Sequence, residues 1–273
     1  MPPDQFIELD GARLPARASL VQAIEEAWQR LAAAGTWWSG EERLCLAAEV
    51  RAAKSCTLCR QRKSALSPTT VRGRHEGQGR LPEAAVEAVH RLATDAQRVT
   101  ATWLAGMLDA GSAAGAGGGP QVVPQVAPRV GGGIGLSEGA YVEIVSVVAI
   151  VTALDTFDLA LGRPVRSLPQ PVAGAPSRRR PAGARKNLAW IATVAPEDVT
   201  PGDPDPYPLH GDKNIHRALS LVPQAVIDFF DLDVELYLKD HEIRDFAREY
   251  RAISHAQIEL IAGRASAINR CYY

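Results

Sequence analysis

A chain of 273 residues with 46% hydrophobic residues can fill one or two domains and bury a sizeable core. Its 30 Lys and Arg stand against 31 Asp and Glu, which removes any electrostatic case for nucleic acid or an anionic membrane as partner. Cys45, Cys56, Cys59 and Cys271 are too few for a secreted disulfide scaffold, the N-terminus shows no basic-then-apolar leader, and the apolar run Ile144 to Leu154 is too short to span a bilayer, so the cytoplasm is the expected location.

Residues 18 to 34 carry Leu20, Val21, Ile24, Trp28, Leu31 and Ala32 at helical spacing, and Gly35 ends the pattern. Ser39 with Glu42 three residues on is a capping-box signature for a helix over 40 to 53, on which Cys45 reads as a small buried residue. Cys56-Thr57-Leu58-Cys59 opens a third helix, 57 to 66. Residues 83 to 109 form one long helix or a pair, with Ala84, Val86, Val89, Leu92 and Ala93 as apolar positions. Residues 111 to 134, almost all Gly, Ala, Pro, Val and Gln, bury too little to order themselves and are expected to be a disordered insertion. A buried helix follows over 137 to 161. Within it Glu143 needs a buried partner or a function. The Pro-rich stretch 166 to 204, with Arg178-Arg179-Arg180, reads as a solvated linker. Helices are expected again over 216 to 238 and 255 to 269. Trp37, Trp38 and Trp103 suit the core. The whole is all-α.

A shift of 215 positions brings Ser39 onto Ser254, Ala47 onto Ala262, Ala52 onto Ala267 and Cys56 onto Cys271. A weaker copy, Glu143-Ile144-Val145, aligns with Glu259-Leu260-Ile261 and places Asp155 at the cysteine position. The duplication divides the chain into a helical domain 1 to 165, a linker 166 to 204, and the N-terminal half of a second copy, 205 to 273.

The segments Ala218 to Pro223, Gln257 to Ala262 and Ala267 to Tyr273, with Tyr141-Val142-Glu143, resemble the peroxidase-related branch of the alkylhydroperoxidase D and carboxymuconolactone decarboxylase family, in tandem. That family's pattern is a Glu, a Cys twelve residues later, a second Cys after two spacers, and a His four further on. Here Glu259 stands twelve residues before Cys271, and the remaining two positions lie past Tyr273. Cys56 and Cys59 are both present in the first copy, but Leu44 and Lys63 occupy its Glu and His positions. The resemblance therefore implies Cys56, Cys59, Cys271 and Glu259 as catalytic residues. Neither copy holds the full set. It also implies that the functional protein continues beyond Tyr273, through a truncation or through a selenocysteine codon read as a stop.

The chemistry implied is hydroperoxide reduction. A thiolate attacks the peroxide, its partner closes a disulfide, and a dithiol donor resets the pair. Two cysteines at i and i+3 at a helix start suit this, because the free N–H groups of the first turn favour the anion. Arg60, Arg62 and Lys63 either lower the thiol pKa or form a wet face. Glu49, near the dithiol in sequence, either replaces the missing acid or, the preferred reading, is a solvated helix charge. Cys56 and Cys59 could be half of a zinc site, but no second Cys or His pair stands at the usual spacing, so no metal and no cofactor are expected. His210, His216, His241 and His255 suit surface or capping roles. The expected partners are a small hydroperoxide, a dithiol reductant and further copies of the chain. The competing readings are a lactone decarboxylase, disfavoured by the dithiol, and a non-catalytic helical module for oligomerisation or binding, favoured by Leu44 and Lys63.

Overall fold

The computed structural model describes residues 6–9, 12–108, 135–207 and 212–271. The stretch expected to be a disordered insertion, 111 to 134, lies outside the described residues. A short antiparallel hairpin pairs Phe6–Leu9 with Ala12–Pro15 and departs from the all-helical expectation. The remaining described elements are helices: α1 (Ala18–Ala32), α2 (Gly40–Ala53), α3 (Thr57–Ser64), α4 (Glu83–Asp95), α5 (Ala101–Met107), α6 (Glu138–Ala160), α7 (Asn214–Arg217), α8 (Pro223–Leu236), α9 (Asp240–Arg244) and α10 (His255–Asn269).

The α2 helix begins where the sequence signals it. The Ser39 hydroxyl accepts from Glu42 N–H at 3.3 Å, and Ser39 N–H donates back to the Glu42 carboxylate at 2.8 Å. This reciprocal cap satisfies two of the free N–H groups at the helix start. The stretch expected as one long helix or a pair is a pair, Glu83–Asp95 and Ala101–Met107. The first turns aside at Asp95, where Ala96–Arg98 make a 3₁₀ turn. Arg98 grips Asp95 at 2.8 Å and donates to the carbonyls of Arg62, Lys63 and Ala65, the last carbonyls of α3. That contact fixes α3 against α4.

The helix α6 is the centre of the core, packed by α2, α4 and α8. It is apolar all round, as a helix covered on every side should be, and Ile144, Val147, Ile150, Val151 and Leu154 are buried. It is the one helix among the described residues with the length and composition to cross a membrane, yet 67% of its apolar window is covered by the protein. Its acids are each paired: Glu138 with Arg180, Glu143 with Arg43, Asp155 with Arg51, and Asp158 with Arg166. A buried charge persists only with such partners.

Residues 166 to 204, read as a solvated linker, lie as an extended strap on the helices. Prolines forbid helix there but not extended chain hydrogen-bonded to neighbours. Ser167 O accepts from the Trp28 indole at 3.0 Å, Val172 N–H donates to Ala32 O at 2.9 Å, and Arg178 N–H to Thr36 O at 2.7 Å. Ile191 to Ala195 are buried. Arg179 and Arg180 are held by Asp203 and Glu138.

The helix expected over 216 to 238 starts late, at Pro223. Proline suits a first turn and breaks an interior. As α8 it packs on α1 and α6 through Ala225, Val226, Phe230 and Leu232, so it shares one core with the helices of residues 1 to 165. The α10 helix repeats the α2 start, with Ser254 and Gln257 forming the same reciprocal cap. Its environment differs: Ile253, Leu260, Ile261 and Ile268 are exposed.

Candidate functional site

Cys56 caps the N-terminus of α3, and Cys59 lies in its first turn. Leu58 and the partly buried Val71 pack on them, leaving Cys56 with no exposed surface and Cys59 with 5%. Two histidines that the sequence reading passed over close the site. His75 comes from the loop between α3 and α4, and His90 from the buried face of α4. His75 Nδ1 is 3.6 Å from Cys56 Sγ and 3.5 Å from Cys59 Sγ, and His90 Nδ1 is 3.2 Å from Cys59 Sγ. The two rings are tilted against each other with centroids 4.2 Å apart.

Each imidazole is backed by a carboxylate on its far nitrogen. His75 Nε2 meets Glu87 at 2.7 Å, and His90 Nε2 meets Glu49 at 2.7 Å. Glu87 is shared with Arg62 at 2.7 Å and the Trp103 indole at 3.2 Å. Glu49 also accepts from Gln78 N–H at 2.9 Å, where the loop carrying His75 runs directly over it. A Cβ on Gly77 would stand 2.5 Å from Glu49 Oε1, so the close pass needs glycine. Glu49 is wholly buried. The reading of it as a solvated charge is corrected: it sits on the α2 face turned towards α4, where His90 compensates it.

Burial opposes ionisation of Cys56, but backbone N–H groups of Glu76 and Cys59 and the side chains of His75 and Cys59 outweigh it, holding the thiol at about 7. Burial likewise opposes a charge on His75, yet Cys59, Glu87 and Cys56 together raise it to about 10. Burial resists the Glu87 charge too, but His75 and Arg62 hold its carboxyl down at about 2. His90 is lowered, by burial first, against the opposing pull of Glu49. These surroundings favour a charge on His75 and oppose one on His90.

The other expected residues fall elsewhere. Glu259 on α10 accepts from the Tyr237 hydroxyl and lies 3.6 Å from His255 Nε2. Cys271 is exposed beyond the end of α10. Among the described residues no hydrogen bond or ion pair joins either to the Cys56 and Cys59 cluster. Leu44 is core, Lys63 is exposed, and Cys45 is half-buried. The expectation that no metal-ligand set exists is also corrected. Cys56, Cys59, His75 and His90 each offer one ligand atom, all within 4.8 Å of one another. The pair that completes the set is spaced by a loop and a helix, which is why a search for short His or Cys spacings misses it. A separate cavity of about 460 Å³, lined by Arg30, Arg43, Arg179, Asp203 and Asp228, contains none of these four residues.

No family model matches the chain, and no curated protein or solved structure gives a significant match.

Proposed function

We propose that the chain is a thiol-dependent oxidoreductase that reduces hydroperoxides at Cys56 and Cys59. The observation that carries the reading is the pair of carboxylate-backed histidines on the two sulfurs. The family's acid and histidine are missing at Leu44 and Lys63, but Glu49 with His90 and Glu87 with His75 offer the same kinds of group from other positions. Cys56, which receives the N–H groups and His75, is the attacking sulfur. Its thiolate forms a bond to one peroxide oxygen, the O–O bond breaks, and the leaving alkoxide takes the His75 Nδ1 proton. The Cys59 thiol then gives its proton to His90 and attacks the sulfenic sulfur. A disulfide forms and hydroxide leaves, taking that proton from His90 as water. A dithiol donor restores both thiols by exchange.

The tandem reading of the family resemblance is supported by α2 and α10, which start with the same reciprocal cap in the register that aligns Cys56 with Cys271. The test is peroxide consumption by the full chain with a dithiol donor. Turnover that disappears in Cys56→Ser supports the proposal; none in the reduced, chelator-treated wild type overturns it. A second reading, a non-catalytic helical module, is favoured by the burial of both sulfurs.

A further inference from the structure

We infer that Cys56, Cys59, His75 and His90 form a tetrahedral site for one zinc ion. The inference goes beyond the thiol reading and does not need peroxide chemistry to hold. Zinc takes thiolate at about 2.3 Å and imidazole at about 2.0–2.1 Å, so a tetrahedral centre sets its sulfur and nitrogen ligands about 3.6 Å apart. Three of the four sulfur–nitrogen separations are 3.6, 3.5 and 3.2 Å, and all four donor atoms, the Cys56 and His90 pair included, lie within 4.8 Å of one another.

Hydrogen bonding alone accounts for those distances less well. It asks one His75 proton to serve two sulfurs at nearly equal range, whereas an ion at the common centre serves all four donors at once. The surroundings point the same way. Both imidazoles turn Nδ1 inward and anchor Nε2 on a carboxylate at 2.7 Å. This is the arrangement that fixes the tautomer of metal-bound histidines and increases their basicity. Glu49 is itself held by Gln78 N–H, and Glu87 by Arg62 and Trp103. Two thiolates neutralise the dication, so the centre can be buried without net charge. The mix of soft thiolate and imidazole in a tetrahedral set favours zinc over magnesium or calcium.

On binding, the ion takes the place of the protons held among these donors, since its ligands are thiolates and neutral imidazoles. It also ties up the lone pairs that a peroxide would meet. The loaded chain should therefore react with peroxide more slowly than the stripped one. Oxidation of the two thiolates by a hydroperoxide, with uptake of two protons, gives the disulfide, an alcohol, water and free zinc.

The test is metal content and cobalt(II) substitution of the full chain. One zinc per chain is expected, replaceable by cobalt with thiolate charge-transfer and strong tetrahedral ligand-field bands. His75→Ala lies on a loop and spares the helical core. It should weaken zinc at least about 100-fold, and Glu87→Gln, behind it, about tenfold. Cys45→Ser should change nothing. Absence of zinc and cobalt binding overturns the site, as does binding indifferent to both His75→Ala and His90→Ala. Failure of the two readings is separable. Zinc bound without peroxide turnover in the stripped chain defeats the peroxidase alone, and turnover without metal affinity defeats the zinc site alone.

Discussion

Glu49 Oε1 lies 2.7 Å from His90 Nε2, and neither side chain reaches solvent. Such a pair costs little while intact and a great deal when halved, because the survivor is left polar, buried and alone. Glu49→Ala is expected to lower the stability of the full chain by about 3 kcal/mol. Glu49→Gln, which keeps an acceptor for the ring and for Gln78, should cost about 1 kcal/mol. Urea denaturation of the two variants checks this. Equal midpoints for Glu49→Ala and wild type would show that the contact contributes nothing.

Glu143 gives the protein a pH dependence of defined sign. Burial pushes its carboxyl up to about 7, against Arg43 from α2 and the N–H groups of Trp37 and Thr36, and with Asp228 from α8 adding to the rise. The folded pKa lies above the ordinary 4.5. The stability linked to the protonated form is therefore complete below pH 4.5 and is lost as pH rises through 7. Glu143→Gln should remove this loss and be more stable than wild type by about 2 kcal/mol at alkaline pH, with little advantage in mild acid. A wild-type urea midpoint that is flat across neutral pH would contradict it.

Mild oxidation should link Cys56 to Cys59 and leave Cys45 out. The two sulfurs face the same imidazole, that of His75, across the first turn of α3. Peptide mapping by mass reads the pairing, and a bridge from Cys56 to Cys45 would remove the basis for a dithiol. Lys63→His, the substitution that the family pattern would ask for, should leave turnover unchanged. Lys63 is exposed, and the sulfurs already have their histidines.

The exposed Ile253, Leu260, Ile261 and Ile268 leave an apolar patch on and beside α10. A patch of this kind favours association. Sedimentation should show concentration-dependent self-association of the full chain, weakened in Leu260→Glu. A strictly monomeric wild type would reject the idea.

Much of the helical framework was legible because it rests on local rules. The Ser39 cap, the Gly35 stop, the periodicity of α1 and the unbroken apolar run of α6 each act within a few residues. The Cys56 and Cys59 spacing was legible for the same reason. His75 and His90 were not, because they reach the sulfurs through tertiary packing across a loop of Gly, Arg and Pro. A signal did exist. Glu87 and His90 stand three apart on one face of α4, and Glu49 lies seven residues before Cys56, so acids and an imidazole were in view beside the dithiol. The strap over 166 to 204 was misread because proline content marks the absence of helix, not the absence of packing.

Of the four donors, His75 alone sits within the long loop between α3 and α4. The stretch bearing His75 is bordered by exposed Arg72, Arg74 and Arg80, each a cleavage point for trypsin. Whatever pins His75 against the sulfurs also pins those peptide bonds, so proteolytic nicking becomes a gauge of what the centre holds. Zinc should protect the three bonds. Chelator, or conversion of the pair to a disulfide, should open them while the helices on either side stay whole. Cutting at the same rate in every state would mean that the loop is held by Glu49, Glu87 and Arg62 alone.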